Sequence, residues 1–191
     1  NCKEILHHKC SDATFDGCLT FVIGENGMDL AMKYGLPANQ IIKTGNWLGP
    51  LLVAAAENGV KKLLLFGYHG KLIKLSGGVF HTHHHLADGR IEILTSIAFR
   101  EGISFDLIEL ISKSTSVENA LLTLEESNPE TVSLIWSRMA KEIEIKSRSY
   151  VNRYLSSSME IGSVLFDRKR QIRWAGFEGL KQINSLGLIL N

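Results

Sequence analysis

The first third of the chain alternates between short apolar runs and longer, helix-like segments. Three runs have strand length, and each is followed by a glycine-containing loop and then by a helical pattern. They cover residues 19–23, 40–43 and 61–66. This order predicts a βαβαβ unit, in which neighbouring strands pair in parallel and are joined by right-handed crossovers.

The segments between these runs are predicted to be the crossover helices. Residues 28–34 and 48–58 are helical in composition, and Gly35 and Gly59 follow them where C-terminal caps belong. Pro50 falls in the first turn of the second segment, where proline removes no intrahelical hydrogen bond.

The rest of the chain is predicted to be mostly helical and to end with a hairpin and a last helix. Residues 105–111 fit either a strand or a short helix. A hairpin is predicted where the apolar segments 161–166 and 171–174 flank the basic turn 167–170. Helices are expected over residues 91–101, 117–126, 129–154 and 177–185.

Together these segments predict an α/β fold: an open, mostly parallel, Rossmann-like sheet with flanking helices and a C-terminal β-hairpin. We expect a single domain over residues 1–191, with a βαβαβ core at about 13–110 and a helical and hairpin part at about 115–191. The chain starts at Asn1, and its first periodic segment has no helix-start signal. We therefore expect a fragment that lacks an amino-terminal domain.

The composition and the net charge argue against nucleic acid and anionic membranes as partners. The 191 residues are 45% hydrophobic, and 21 basic residues nearly balance 20 acidic ones. A net charge of +1 gives no field over the whole chain that would attract nucleic acid or an anionic membrane. An anionic ligand must therefore be met by a local cluster of cations. The oligomeric state stays open, and a homo-oligomer is possible.

The three cysteines and the apolar segments predict a cytoplasmic protein. Cys2, Cys10 and Cys18 are odd in number and lack the CxxC spacing of zinc sites, so we interpret them as reduced thiols. No apolar stretch reaches the roughly 18 to 20 residues that span a bilayer, and no export signal is evident at the amino terminus.

Three polar loops follow the predicted strands. GENG starts at Gly24 and includes Asn26, TGNWLG includes Thr44 and Asn46, and GYHGK starts at Gly67. Ligands bind outside the carboxyl ends of parallel strands, where such loops and the amino termini of helices meet. None of the loops matches a dinucleotide fingerprint or a P-loop. Ordinary strand-to-helix turns also use glycine and asparagine, so each loop alone remains ambiguous.

The segment 67–90 contains five of the seven histidines, two lysines and five glycines. Lys71 and Lys74 are three positions apart near the start of a predicted helix, where the helix dipole disfavours cations, and this suggests an anionic partner. Lys43 and Arg90 could add to the same positive lining. Asp88 could set the tautomer of a histidine or cap the helix that follows. A mobile polar loop with solvated lysines is the alternative interpretation.

The HTHHH run suggests a metal site, because an extended segment would place His81, His83 and His85 on one side and His84 on the other. A metal-dependent amidohydrolase needs further ligands along a barrel, but no histidine follows His85 and the chain is too short for such a barrel. The sequence favours a histidine that transfers a proton or binds substrate, without a protein-bound metal.

The run GKLIKLSGGVFHTHHHLADGRIEIL resembles the signature of the cobalt-precorrin-5B (C1)-methyltransferase family, CbiD, of the anaerobic cobalamin pathway. Family members carry a glycine-histidine pair, GK, a KLA-type segment, small residues, HTHS or NTHS, and ADGR. The similarity extends upstream through GENGMDLAMKYGLP and TGNWLGPLLVAAAENGVKKLLLFG, and downstream to IGSVLFDRKRQI. It therefore covers most of the chain.

The resemblance implies methylation of a corrin precursor at ring carbon C-1 by S-adenosyl-methionine, with cobalt arriving inside the substrate. It also implies a further amino-terminal region. Substrate carboxylates would meet cations, a histidine would handle a proton, and strand-end loops would hold the methyl donor. The expected substrate-binding residues are Lys71, Lys74, Arg90 and Asp88; the catalytic candidates are His83, His81 and His69; the cofactor-binding residues are Gly24, Asn26, Thr44, Asn46 and Gly67.

Two departures from the family pattern affect these assignments. Tyr68 stands where histidine is usual, with His69 one place later, and His84 stands where serine is usual. Asparagine can replace His81 in relatives, which favours a hydrogen-bonding role there. Two other functions stay open: a non-catalytic tetrapyrrole-binding module, which would have no affinity for the methyl donor, and a metal-dependent hydrolase that uses HTHHH.

Overall fold

A computed structural model describes residues 2–83, 85 and 88–190. The strands are β1 Cys18–Ile23, β2 Ile41–Thr44, β3 Lys62–Tyr68, β4 Glu160–Phe166 and β5 Ile172–Ala175. The helices are α1 Cys2–Cys10, α2 Met28–Tyr34, α3 Leu48–Glu57, α4 His69–Ser76, α5 Arg90–Arg100, α6 Phe105–Ser112, α7 Val117–Ser127, α8 Pro129–Asn152 and α9 Phe177–Ser185. The predicted strands, crossover helices and hairpin are confirmed, with boundaries that differ by a few residues.

The described strands form a five-stranded sheet in the order β2-β1-β3-β4-β5. The first four strands are parallel, while β5 turns back antiparallel to β4 as the second strand of the hairpin. Strands β1, β3 and β4 are buried almost throughout, as expected for parallel strands that are covered on both faces. The prediction of an α/β fold with a mostly parallel sheet and flanking helices is therefore confirmed.

Side chains that alternate along the strands supply two hydrophobic cores. On β1, Phe21 belongs to the larger core, which also includes apolar residues of α1, α3, α4, α5 and α8. Its neighbour Val22 belongs to the smaller core, which includes residues of α2 and α9. The long helix α8 packs on α4 and on β4, so it joins the C-terminal strands to the first half of the chain.

The segment that fitted either a strand or a helix is the helix α6. Its apolar residues Leu107, Ile108 and Ile111 have helical spacing and pack against the larger core, whereas Phe105 is exposed. An alternating strand would have divided these side chains between two faces. Helical periodicity therefore decides between the two interpretations.

The amino terminus of α9 is held against β4 by a buried carboxylate. Glu144 of α8 accepts hydrogen bonds from the backbone N–H groups of Glu178 and Gly179, at 3.1 and 2.8 Å, and from that of Ser163, at 3.0 Å. A Cβ atom at Gly162 would lie only 2.7 Å from the backbone of Gly179. This close approach fixes β4 and the hairpin that follows it. Among the described residues, no helix is long and apolar enough to cross a membrane.

Candidate functional site

A cleft of about 680 Å³ opens at the carboxyl ends of β1, β3 and β4. Ile23 and Gly24 lie at the end of β1, Tyr68 at the end of β3, and Phe166 and Asp167 at the end of β4. The strand order reverses between β1 and β3, because the chain goes from β1 to one neighbour and later to the other. Ligands of open α/β sheets bind at such a switch point.

Three helices begin at the wall of this cleft. Gly70 and Lys71 belong to the first turn of α4, Arg90 starts α5, and Val117 and Glu118 start α7. Helix amino termini carry partial positive charge and N–H groups without intrahelical partners, so they favour anions. The charged side chains of the cleft are predominantly cationic: Lys71, Arg90, Arg168 and Arg170, with the carboxylates of Glu118 and Asp167.

Gly24 brings the first loop close to the cations of the cleft. Its φ of 98° lies in the left-handed region that favours glycine, and a Cβ atom there would lie 3.5 Å from Nζ of Lys71. Asn26 also lines the cleft. Gly67 lies beneath it, at the end of β3, where a Cβ atom would be 3.3 Å from the carbonyl oxygen of Ile23. The structure thus brings Gly24, Asn26, Lys71 and Arg90 together.

Arg90 is oriented by Asp88. Its Nε and Nη2 atoms donate to the two carboxylate oxygens of Asp88, each at 2.7 Å. This bidentate pair lowers the pKa of Asp88 to about 2, because the hydrogen bonds favour the ionised carboxylate. Asp88 also accepts from the backbone N–H of Gly89 and Arg90, at 3.1 and 3.3 Å. The N-cap of α5 is Gly89, which has no side-chain cap hydrogen bond, so the prediction that Asp88 caps this helix is wrong. Asp88 instead positions an arginine.

Lys74 is buried and, unlike Lys71, does not line the cleft. It is only 2% exposed, and its Nζ atom donates to the carbonyl oxygen of His83 at 3.2 Å. Desolvation lowers its pKa, while the charge of Asp88 acts in the opposite direction. We call the HTHHH run at residues 81–85 the histidine segment. Lys74 thus holds His83 of this segment against α4, whereas Lys71 lines the cleft.

The histidine segment is docked on the loop after β2. The backbone N–H and the hydroxyl of Thr82 donate to the carbonyl oxygen and to Oδ1 of Asn46, at 2.9 and 3.0 Å. Residues 47 and 81 form an isolated antiparallel bridge, and the ring of His81 meets the indole of Trp47 edge-on at 4.4 Å. Thr44 is buried on β2 and donates to the carbonyl oxygen of Val22 at 3.3 Å. Asn46 and Trp47 thus support the segment, whereas Thr44 joins β2 to β1, and none of the three lines the cleft.

The other histidines of this segment are spaced along it without converging. The ring centroids of His81 and His83 are 6.4 Å apart, and those of His83 and His85 are 5.1 Å apart. Within residues 2–83, 85 and 88–190, no three His, Cys, Asp or Glu side chains form a group that could hold a metal ion. The predicted departure at His84 lies outside the described residues.

His69 lies behind the cleft wall. Its ring is fully buried, and its Nδ1 atom accepts a hydrogen bond from the indole N–H of Trp136 at 2.9 Å. Its Nε2 atom lies 2.8 Å from Oε2 of Glu118, and the hydroxyl of Tyr68 donates to the same oxygen at 3.0 Å. Tyr68 and Glu118 reach the cleft, whereas His69 reaches it only through Glu118.

Sequence reasoning missed the contribution of Glu118, Arg168 and Arg170 to the cleft. Glu118 looks like an ordinary acidic residue in the first turn of a helix, and the arginines look like a solvated hairpin turn. Arg170 nevertheless has a left-handed φ of 64°, and its guanidinium donates to Asp29 at 2.6 Å. The basic turn was the one available signal, since three consecutive cations between short strands exceed what a turn requires.

Comparison with known proteins shows which family this chain belongs to. A family model described as the C-terminal domain of CbiD matches residues 81–176, which is just over half of the chain. The chain belongs to the CbiD family. The match includes the histidine segment, Arg90, Glu118 and the basic hairpin turn. The resemblance seen in the sequence is thereby confirmed.

Proteins named cobalt-precorrin-5B C(1)-methyltransferase are similar over the whole chain. Those of Prochlorococcus marinus strains NATL1A and NATL2A are 95% and 96% identical over 190 residues, covering 100% of this chain and 50% of each relative. That of strain SARG is 58% identical over 185 residues, covering 97% of this chain and 49% of the relative. The chain therefore spans about half the length of these curated CbiD relatives. No solved structure matches it.

Proposed function

We propose that this CbiD chain forms the corrinoid-binding part of an S-adenosyl-methionine-dependent methyltransferase, which methylates C-1 of cobalt-precorrin-5B in cobalamin biosynthesis. The observation that carries the proposal is the 95% identity, along the full chain, to a protein named for that reaction. Cobalt enters as part of the substrate.

The cationic cleft suits the rim of carboxylates that a corrin precursor presents. Lys71 and Arg90 are two of the cations that the sequence singled out, and Arg168 lines the same cleft. Charge-assisted hydrogen bonds are stronger than neutral ones, and Arg can hold a carboxylate with two of them. We assign substrate binding to these three residues, with Asp88 orienting Arg90. Lys74 contributes indirectly, by anchoring the histidine segment.

The first loop fits the amino-acid group and the ribose of the methyl donor. Gly24 allows a close backbone approach, Asn26 offers an amide to hydroxyl or carboxylate groups, and Gly67 lies below them at the switch point. This is a Rossmann-like use of the sheet edge. When bound, the donor supplies an electrophilic methyl group. Thr44 and Asn46 would act on this site through the loops that they hold.

The histidine segment is proposed to cover one side of the bound macrocycle. Asn46 and Lys74 bind the consecutive residues Thr82 and His83, so that the backbone between the rings of His81 and His83 is held in place. Nε2 of His81 is buried without a hydrogen-bond partner among the described residues, which suits a hydrogen bond to a ligand. We assign hydrogen bonding to substrate to His81 and His83.

Calorimetric titration at the full length of the relatives tests this function. The protein is titrated with S-adenosyl-methionine, with and without a cobalt-corrinoid precursor, and the corrinoid is titrated separately. We expect saturable binding of both ligands. Arg90→Gln should weaken corrinoid binding, while Lys113→Gln, which removes an exposed cation paired with Glu109, should not. Corrinoid binding without any affinity for the methyl donor would favour a carrier module, and binding of neither would refute the proposal.

A further inference from the structure

We propose that Glu118 is the proton acceptor of the cleft, which removes the proton that a macrocycle must release when it is methylated, and that His69 and Trp136 are its positioning residues. This inference rests on the proposed function. It assigns the proton step to a carboxylate at the start of α7 and not to the histidine segment.

Glu118 combines burial with access to the cleft. The residue is only 8% exposed, yet it lines the cleft. The hydroxyl of Tyr68 and Nε2 of His69 both bond the same oxygen, Oε2, at 3.0 and 2.8 Å. No residue in the described part of the chain forms a hydrogen bond with Oε1. One oxygen is therefore held in place while the other can meet a ligand.

The tautomer of His69 follows from its second hydrogen bond. The indole N–H of Trp136 can only donate, so Nδ1 of His69 must carry a lone pair. The proton of the neutral ring is then on Nε2, and it points at Glu118. Because the ring is fully buried, protonating Nδ1 would break its bond to Trp136 without compensation from water. His69 is thus fixed as a donor and is unsuited to taking up the proton itself.

The surrounding charges keep Glu118 ionised. The hydrogen bond from His69 lowers the pKa of Glu118 most, and the bond from Tyr68 and the charge of Arg168 add to the effect, while burial opposes it. Lys71, Arg90 and Arg170 are the other cations that line the cleft. The remaining carboxylate, Asp167, is committed to the backbone of Gln171 and to Arg173, at 2.9 and 3.3 Å. Glu118 is therefore the ionised carboxylate that is available to a ligand.

The proposed reaction requires a proton acceptor. The new C–C bond uses a π electron pair of the macrocycle, and the S–C bond of the sulfonium donor breaks with its electron pair remaining on sulfur. The macrocycle thereby gains one positive charge. Loss of one proton from the macrocycle then restores the charge that it had before methylation. A carboxylate with a low pKa is a weak base, but a cationic macrocycle is a strong acid, so Oε1 of Glu118 can accept that proton.

Steady-state kinetics of Glu118→Gln at the full length of the relatives tests the assignment. The variant keeps an oxygen for Tyr68 and His69 but cannot take up a proton. We expect kcat to fall by about 10²- to 10⁴-fold, the usual range for a lost general base, with KM for the corrinoid unchanged or lower. Glu118→Asp should retain a rate between the two. The matched control is Glu125→Gln, on the same helix, whose partner Arg173 lies outside the cleft; it should leave kcat unchanged.

A carboxyl ¹³C NMR titration supplies a readout that does not depend on turnover. The pKa of Glu118 should lie below the ordinary value of about 4.3, and Tyr68→Phe should raise it by removing one donor. The acid limb of kcat should move up in pH together with it. A pKa that does not respond to Tyr68→Phe, or a kcat that survives Glu118→Gln in a wild-type protein that does methylate, would overturn the inference. A wild-type protein that binds its ligands but does not methylate would instead refute the proposed function.

Discussion

Glu144→Ala should destabilise this CbiD chain more than most single substitutions do. The change removes a carboxylate that accepts three backbone N–H donors, two of them at the amino terminus of α9 and one on β4. Each buried donor left without a partner costs about 1–3 kcal/mol. Removing a buried charge returns part of that free energy, so we expect a net loss of about 3–5 kcal/mol in the free energy of unfolding at pH 7.

Urea denaturation followed by circular dichroism measures this loss, and its pH dependence tests the electrostatic part. Burial raises the pKa of Glu144 above its ordinary value, so the folded state binds this proton more tightly than the unfolded state does. The contribution of this titration to stability is fully present below the unfolded pKa, about 4.3, and is lost as pH rises through the folded pKa. The advantage of the wild type over Glu144→Gln, which does not titrate, should therefore shrink from pH 4 to pH 7.

The control is Glu126→Ala, which truncates an exposed glutamate of α7 and should change the free energy of unfolding by less than about 0.5 kcal/mol. A loss below about 1 kcal/mol for Glu144→Ala would contradict a role of Glu144 in holding α9 on β4, because it would mean that the three donors find other acceptors or water. An advantage over Glu144→Gln that grows with pH would contradict the assigned direction of the pKa shift.

Three further predictions concern the packing of α9, the cleft and the buried histidine. Gly179→Ala should lower the melting temperature strongly in a thermal scan, because its Cβ atom would overlap the carbonyl oxygen of Ser163, whereas Gly45→Ala, which meets nothing within 4 Å, should not; equal effects would contradict this packing. Lys71→Gln combined with Arg90→Gln should weaken corrinoid binding at least about tenfold in calorimetry, and high salt should reduce the difference; an effect that does not depend on salt would speak against direct charge pairing. Trp136→Phe should turn the single Nε2–H tautomer of His69 into a mixture in ¹⁵N NMR; a mixture already in the wild type would contradict the assigned hydrogen bond.

The local pattern of apolar and polar residues predicted most helices and strands, because the sequence of each element marks where it begins and ends. The apolar run at residues 61–66 and the glycine caps at Gly35 and Gly59 mark boundaries that do not depend on distant residues. The position of β4 beside β3 has no such signal, since Leu65 pairs with Ser163 across nearly a hundred residues. Tertiary packing brings these strands together: α8 packs on α4 and on β4, and α9 packs on both β3 and β4.

The candidate site was predicted in part, for the same reason. Gly24, Asn26 and Lys71 follow strands of one βαβαβ unit, so strand-end convergence was enough to group them. Glu118 and Arg168 reach the cleft from a helix and a hairpin far along the chain. The neighbours of Glu118 in sequence give no hint of this position, and for Arg168 the run of three cations was the one signal. His69 showed the opposite difficulty: its residue type suggests chemistry, but two hydrogen bonds commit it to holding Glu118.

Transfer of a labelled methyl group is the direct test of the proposed methylation at C-1. The protein, at the full length of the relatives, is incubated with cobalt-precorrin-5B and S-adenosyl-methionine that carries ¹³C in its methyl group, and the product is analysed by mass spectrometry and ¹³C NMR. We expect one added methyl group per macrocycle, bonded to C-1, at a rate that Glu118→Gln strongly reduces. A protein that binds both ligands yet leaves the macrocycle unmethylated, or that methylates a different carbon, would contradict the proposed methylation.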